Sequence, residues 1–154
     1  MNNNDIIRRL RYSLNYDDKK IIEIFKSVEH DVKKEQISKW LLKEDDDGFV
    51  EMYDKELASF LNGLIIEKRG KKEGEIPKSE KSMNNNMIFR KIKIAFNLKD
   101  TDIMDAFYLA KFKISKHELS AIFRKPGQDQ YRLCKDQFLR NFMMGLQLKL
   151  REKK

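Results

Sequence analysis

Apolar residues recur along the chain at helical spacing, and the pattern occurs twice. Ile6, Ile7, Leu10 and Leu14 mark one face of a first helix expected from Asn2 to Leu14, because side chains three and four apart share a helix face. The stripe returns as Ile88, Phe89, Ile92 and Phe96. A second helix is expected from about Asp18 to Val28 and from Asp100 to Ala110, with Asp18 and Asp100 as matched caps. Ile21, Ile24 and Phe25 would face inward, as would Ile103, Ala106 and Phe107. A third follows at about Lys34–Leu42 and Lys116–Phe123, where Ser115 with Glu118 fits a capping box.

The fourth predicted helix, Asp54–Arg69 and Asp136–Arg151, is the longest and most regular. Leu57, Phe60, Leu61, Leu64 and Ile65 form its stripe, answered by Leu139, Phe142, Met143, Leu146 and Gln147. Gly63 and Gly145 match inside it, where glycine costs about 1 kcal/mol relative to alanine. Its retention predicts a closely passing backbone, with the equivalent helix of the other copy as the expected neighbour. Asp54 and Asp136 read as N-caps.

The two patterns are copies. Met83-Asn84-Asn85-Asn86 repeats Met1-Asn2-Asn3-Asn4, and more than a quarter of the pairs from Met1/Met83 to Arg69/Arg151 are identical at an offset of 82 without a gap. A period that long is a duplicated domain. The expected fold is therefore all-α, a tandem duplication of a four-helix unit with approximate internal two-fold symmetry. The repeats span 1–70 and 83–154. Between them, 71–82, with Gly70 before it, brings two Gly, one Pro and few apolar residues, which reads as a flexible basic linker. Pairing of small units is common, so a monomer holding an internal pseudo-dimer is expected.

Charge changes this picture by being uneven. The chain carries +8 in total. Residues 1–70 hold 13 basic and 15 acidic side chains, whereas 83–154 hold 16 and 7. A half with net charge +9 concentrates polyanions around itself. Arg8, Arg9 and Arg11 are answered by Arg90, Lys91 and Lys93, and Arg124, Lys125, Arg132, Arg140, Lys149 and Arg151 add cations to the second copy. Tyr131, beside a predicted turn, is the ring best placed to stack on a base. These residues form the candidate nucleic-acid surface, RNA before DNA. The alternative is a protein–protein adaptor with one acidic and one basic repeat.

Composition limits other chemistry. Three Cys and His residues in all, Cys134, His30 and His117, are fewer than the four ligands of a structural zinc site. An EF-hand reading of Glu44-Asp45-Asp46-Asp47-Gly48 fails, because Phe49 stands where the fifth position needs an oxygen. Neither histidine is matched in the other copy, and the six glycines are scattered. No metal, cofactor or catalytic residue is expected, and the protein reads as non-enzymatic. Absence of a long apolar run argues against a membrane span, and a single cysteine fits a reducing compartment; a cytoplasmic location is expected.

The residues that carry these patterns also resemble a known family. Met1-Asn-Asn-Asn-Asp-Ile-Ile-Arg-Arg-Leu-Arg11, Phe60-Leu-Asn-Gly-Leu-Ile-Ile-Glu-Lys-Arg-Gly-Lys-Lys72, the second Met83-Asn-Asn-Asn86, Phe123-Arg-Lys-Pro-Gly127, Tyr131-Arg132 and Asp136-Gln-Phe-Leu-Arg-Asn-Phe142 are similar to the YehS-like family of duplicated bacterial domains of unknown function. The resemblance covers essentially the whole chain. It implies a bacterial cytoplasmic protein and transfers no catalytic residue, cofactor or partner. Met87 stands where the first copy has Asp5, so an acid after the Asn run is not needed in both copies.

Overall fold

A computed structural model describes residues 1–71 and 76–152, the last without its side chain. The helices are α1 (Asn3–Leu14), α2 (Asp18–Lys26), α3 (Lys34–Trp40), α4 (Asp54–Arg69), α5 (Asn85–Ala95), α6 (Asp100–Leu109), α7 (Lys116–Ile122) and α8 (Asp136–Glu152). Among the described residues there is no strand. The chain is an all-α tandem duplication, α1–α4 followed by α5–α8.

Local chemistry starts each helix. Asn2 caps α1 by accepting from Asp5 N at 2.7 Å, and the Asp5 carboxylate returns the bond to Asn2 N at 3.1 Å. In the copy Asn84 accepts from Met87 N at 2.9 Å, and Met87 has nothing to return. Two of the expected caps are displaced. Asp17, not Asp18, accepts from Lys20 N at 2.8 Å, while Lys99 stands at the cap of α6 and donates its N–H to Asp102 at 2.8 Å. Asp18 and Asp100 are instead first helical residues, where a carboxylate still favours the positive end of the helix dipole. Ser115 and Glu118 form the expected capping box, both bonds at 3.0 Å.

The copies pack by exchange. α1 lies on α8 and α5 lies on α4, so the first helix of each copy rests on the last helix of the other, while α2 covers α4 and α6 covers α8. One apolar core runs through both copies, with Phe25, Trp40 and Phe60 at one end and Phe89, Phe107 and Phe142 at the other. The glycines identify a different neighbour from the one expected. A Cβ at Gly63 would collide with the Ile24 carbonyl oxygen of α2, and one at Gly145 with the Ala106 carbonyl oxygen of α6. The close backbone thus belongs to the same copy.

The Asn run supplies the frame. Buried Asn4 donates to Trp40 O and Val50 O, both at 2.9 Å, and accepts from Met52 N at 2.9 Å. Asn86 does the same with Ile122 O at 3.0 Å, Arg132 O at 2.9 Å and Cys134 N at 2.8 Å. Each Asn pins the loop before the last helix of its copy onto the first helix, which satisfies backbone groups that would otherwise be buried unpaired. Asn3 donates to Asp54 at 2.8 Å and Asn85 to Asp136 at 2.7 Å. Asp54 is not an N-cap. Its other oxygen accepts from Met83 N at 2.9 Å, and Asp136 lies 3.6 Å from the Met1 amino nitrogen. Both aspartates are joints between the copies.

The linker also departs from expectation. Residues 76–82 are laid across α4 and α5 rather than free: Ser79 Oγ meets Ser59 Oγ at 2.6 Å, and Glu80 meets Lys91 Nζ at 2.8 Å. Its remaining part, 72–75, falls outside the described residues. Low apolar content suggested flexibility, but one Ile and one Glu with dedicated partners are enough to fix the segment.

Candidate ligand-binding groove

Exchange packing creates two grooves related by the internal symmetry, one between α4 and α5 and one between α1 and α8. They share a frame and differ in lining. Asn62, Ile65, Ile66, Arg69 and Ile94 line the first, together with Ile76 and Pro77 of the linker. The matched positions at the second groove are Met144, Gln147, Leu148, Arg151 and Tyr12. The α1–α8 groove holds about 430 Å³ and is lined by Met1, Asp5, Arg8, Arg9, Tyr12, Arg140 and Gln147. No described segment covers it.

Electrostatics separates them further. In the covered groove, Lys91 is paired with Glu80 at 2.8 Å and accepted by Asn62 Oδ1 at 2.6 Å. Burial pushes the Glu80 carboxyl up, and the bonds from Lys91 and Asn62 outweigh this, so it is held below the ordinary carboxylate value. In the open groove Arg9 takes the place of Lys91 and Arg140 that of Ala58. Neither arginine has an ion-pair or hydrogen-bond partner among the described residues. Apolar surface lies beside them: Tyr12 is 51% exposed, Met144 40% and Leu148 39%. Arg151 stacks its guanidinium 4.3 Å from the Tyr12 ring centre and donates to Tyr12 O at 3.3 Å.

The cations expected to contact phosphate are redistributed by this fold. Arg8 is engaged by Asp5 at 3.0 Å, Leu41 O at 3.2 Å and Leu42 O at 2.9 Å, and Arg90 by Phe123 O at 2.7 Å. Both arginines close the C-terminal ends of α3 and α7. Lys91 is held by the linker, and Lys149 lies 3.5 Å from Asp102 and 3.9 Å from Asp105. Lys93 stands 4.3 Å over the Phe123 ring, with Asp100 at 4.0 Å. Arg11 and Arg124 are half-buried, each with a buried Nε lacking a partner among the described residues. Tyr131 is half-buried too, which corrects its expected exposure, whereas Lys125 and Arg132 are exposed in the α7–α8 loop. Of the expected set, Arg8, Arg9 and Arg140 line one groove, Arg8 with its bonds already made, and Arg151 lies beside it on Tyr12.

Other reactive groups are accounted for by packing. His30 Nδ1 meets Ser59 Oγ at 2.9 Å, but that hydroxyl also meets Ser79, so the three form a tie to the linker. Burial, with the Asp136 charge adding to it, pushes the Cys134 thiol up to about 12, too high for a thiolate nucleophile. No cluster of three or more metal-ligating side chains exists among the described residues, and none of their helices is long and apolar enough to cross a membrane.

Tyr12, Met144, Gln147 and Leu148 escaped the sequence reading. The signal was present in the repeat itself. Tyr12 for Ile94, Gln147 for Ile65 and Arg140 for Ala58 are polar-for-apolar exchanges at matched positions, and they mark one groove as solvated.

Comparison with known proteins agrees with the duplication. A family model described as a protein of unknown function (DUF1456) matches residues 3–70 and again 85–152. The chain is 41% identical over 155 residues to the uncharacterized protein YehS of Escherichia coli strain K12, covering 100% of this chain and 99% of that protein. No solved structure matches. The chain belongs to the DUF1456 family and carries its domain twice.

Proposed function

We propose that the protein is a non-enzymatic adaptor whose open α1–α8 groove takes an extended, acidic segment of a partner protein. One observation carries this reading. Arg9 occupies the position of Lys91, whose partner in the covered groove is a carboxylate on an extended peptide, Glu80 at 2.8 Å. Two available arginines, Arg9 and Arg140, suit one or two carboxylates better than a long polyphosphate, whose affinity grows with each neutralised phosphate. Exposed Met144 and Leu148 offer the apolar contact that a peptide needs for affinity.

A second reading is single-stranded nucleic acid, RNA before DNA. It rests on the exposed Tyr12 ring beside the arginines, since rings and cations together hold unpaired bases and phosphates. Fluorescence anisotropy with a labelled acidic peptide and a labelled single-stranded RNA, each titrated with salt, separates the two. Peptide binding lost in Arg9→Ser/Arg140→Ser supports the adaptor. RNA binding that falls steeply with salt and is lost in the same variant, without peptide binding, overturns it.

A further inference from the structure

Ile76 to Ser82 is more than a connection, because it shows at close range what a groove of this shape accepts. Ile76 and Pro77 form one wall of a pocket of about 480 Å³ whose other walls include Asn62, Ile65, Ile66 and Ile94. Two residues on, Ser79 bonds Ser59, and Glu80 bonds Lys91 and reaches Asn62 at 3.5 Å. Met83 N then closes on Asp54. The segment thus runs antiparallel to α4, apolar end toward the C-terminus of the helix and carboxylate toward the middle.

We infer that the linker is an internal template for the ligand of the α1–α8 groove, and that this ligand is an extended protein segment of the pattern apolar-Pro-x-x-acidic, running antiparallel to α8. The inference rests on the adaptor reading and adds to it the sequence pattern and direction of the partner. Transferring matched positions places the apolar-Pro pair against Met144, Gln147, Leu148 and Tyr12, and the carboxylate against Arg9. Each of these four positions corresponds to one that lines the pocket walled by the linker in the other groove.

The open groove differs from its template in one respect that predicts a difference in ligand. Arg140 stands where the covered groove has Ala58, further toward the N-terminus of the last helix. A second carboxylate placed C-terminal to the first would meet it. The preferred partner is therefore more acidic than the linker, in which Glu80 is followed by Lys81 and Ser82.

Tethering decides how the test must be designed. A short linker holds its segment at an effective concentration in the millimolar range, so the covered groove stays filled while a free peptide at micromolar concentration reports on the open one. The probe is a fluorescein-labelled peptide of the sequence Ile76–Ser82, titrated against the full chain by anisotropy, beside versions with Glu80→Gln, with Lys81→Asp, and with the same residues scrambled. The parent peptide is expected to bind. Glu80→Gln should weaken it about fivefold and Lys81→Asp should strengthen it by a similar factor, the size of an accessible charge pair. Arg9→Ser in the protein should weaken it as much as Glu80→Gln does, and combining the two should add nothing further.

Equal affinity of the scrambled peptide would overturn the template while leaving the adaptor reading in place. Loss on Lys91→Ser rather than Arg9→Ser would put the peptide in the covered groove and overturn it as well. Failure of every acidic peptide, with RNA bound instead, would sink both readings.

Discussion

The two grooves have the same frame and opposite surfaces. Around both, Asn4 and Asn86 make the same three bonds, and Asp54 and Asp136 take the same Asn partner. Yet α4–α5 is lined by isoleucines and closed by the chain itself, while α1–α8 is lined by arginines and open. Both copies keep these polar joints, since a change at Asn4 or Asn86 strands backbone donors and acceptors. The apolar core has exchanged residues, Trp40 for Ile122 and Ile7 for Phe89 among them, and the groove linings, which carry no such bonds, have diverged in polarity.

The largest expected effects come from breaking what the grooves share. Gly63→Ala or Gly145→Ala drives a Cβ into a carbonyl oxygen of the neighbouring helix, and should cost about 3 kcal/mol of stability. Urea denaturation checks this; a variant as stable as the parent would contradict the close crossing in that copy. Next are Asn4→Ala and Asn86→Ala, each of which orphans two carbonyls and one amide. About 2 kcal/mol is expected for each, and near-equality of the two would establish that the copies rest on the same joint.

Smaller effects fall on what distinguishes the grooves. Glu80→Gln should lower stability by about 1 kcal/mol or less, as for a partly exposed pair, but should raise hydrogen exchange in the linker and along α4. Arg9→Ser should leave stability within about 0.5 kcal/mol while weakening peptide binding about fivefold. A large stability loss on Arg9→Ser would mean that this arginine serves the fold, and the contrast between the grooves would fail.

Acid sharpens the comparison least. Because the folded Glu80 carboxyl lies below its ordinary value of 4.5, its contribution is fully present above that pH and is lost as pH falls through the lower, folded value. Exchange in the linker should therefore rise as pH falls below the ordinary carboxylate range. Asp136 is likewise held low, chiefly by the bond from Asn85 and then by the Met1 charge, so the joint at the open groove loosens in the same direction. An unchanged linker at pH 3 would show that Lys91 and Glu80 do not hold it.

Helix number, order and inward faces could be read from the chain, because the 3.6-residue period of Leu57, Phe60, Leu61 and Leu64 and its exact repetition leave little choice about which side is buried. The duplication was equally legible. Basic residues were read less well, since helical position says which way a side chain leaves the backbone but not what waits there. Arg8 and Arg90 look like solvated cations in the sequence, yet they end on the carbonyls of Leu42 and Phe123, far along the chain.

Sequence alone thus determined the all-α class, the two copies and the excess of charge in the second, because each depends on periodicity or counting within a segment. Tertiary structure decided that the copies exchange their first helices, that Gly63 faces Ile24, that the linker walls one groove, and that Arg9 and Arg140 from different copies meet at the other. Those facts depend on which residues distant in the chain become neighbours, and packing, not local propensity, selects them.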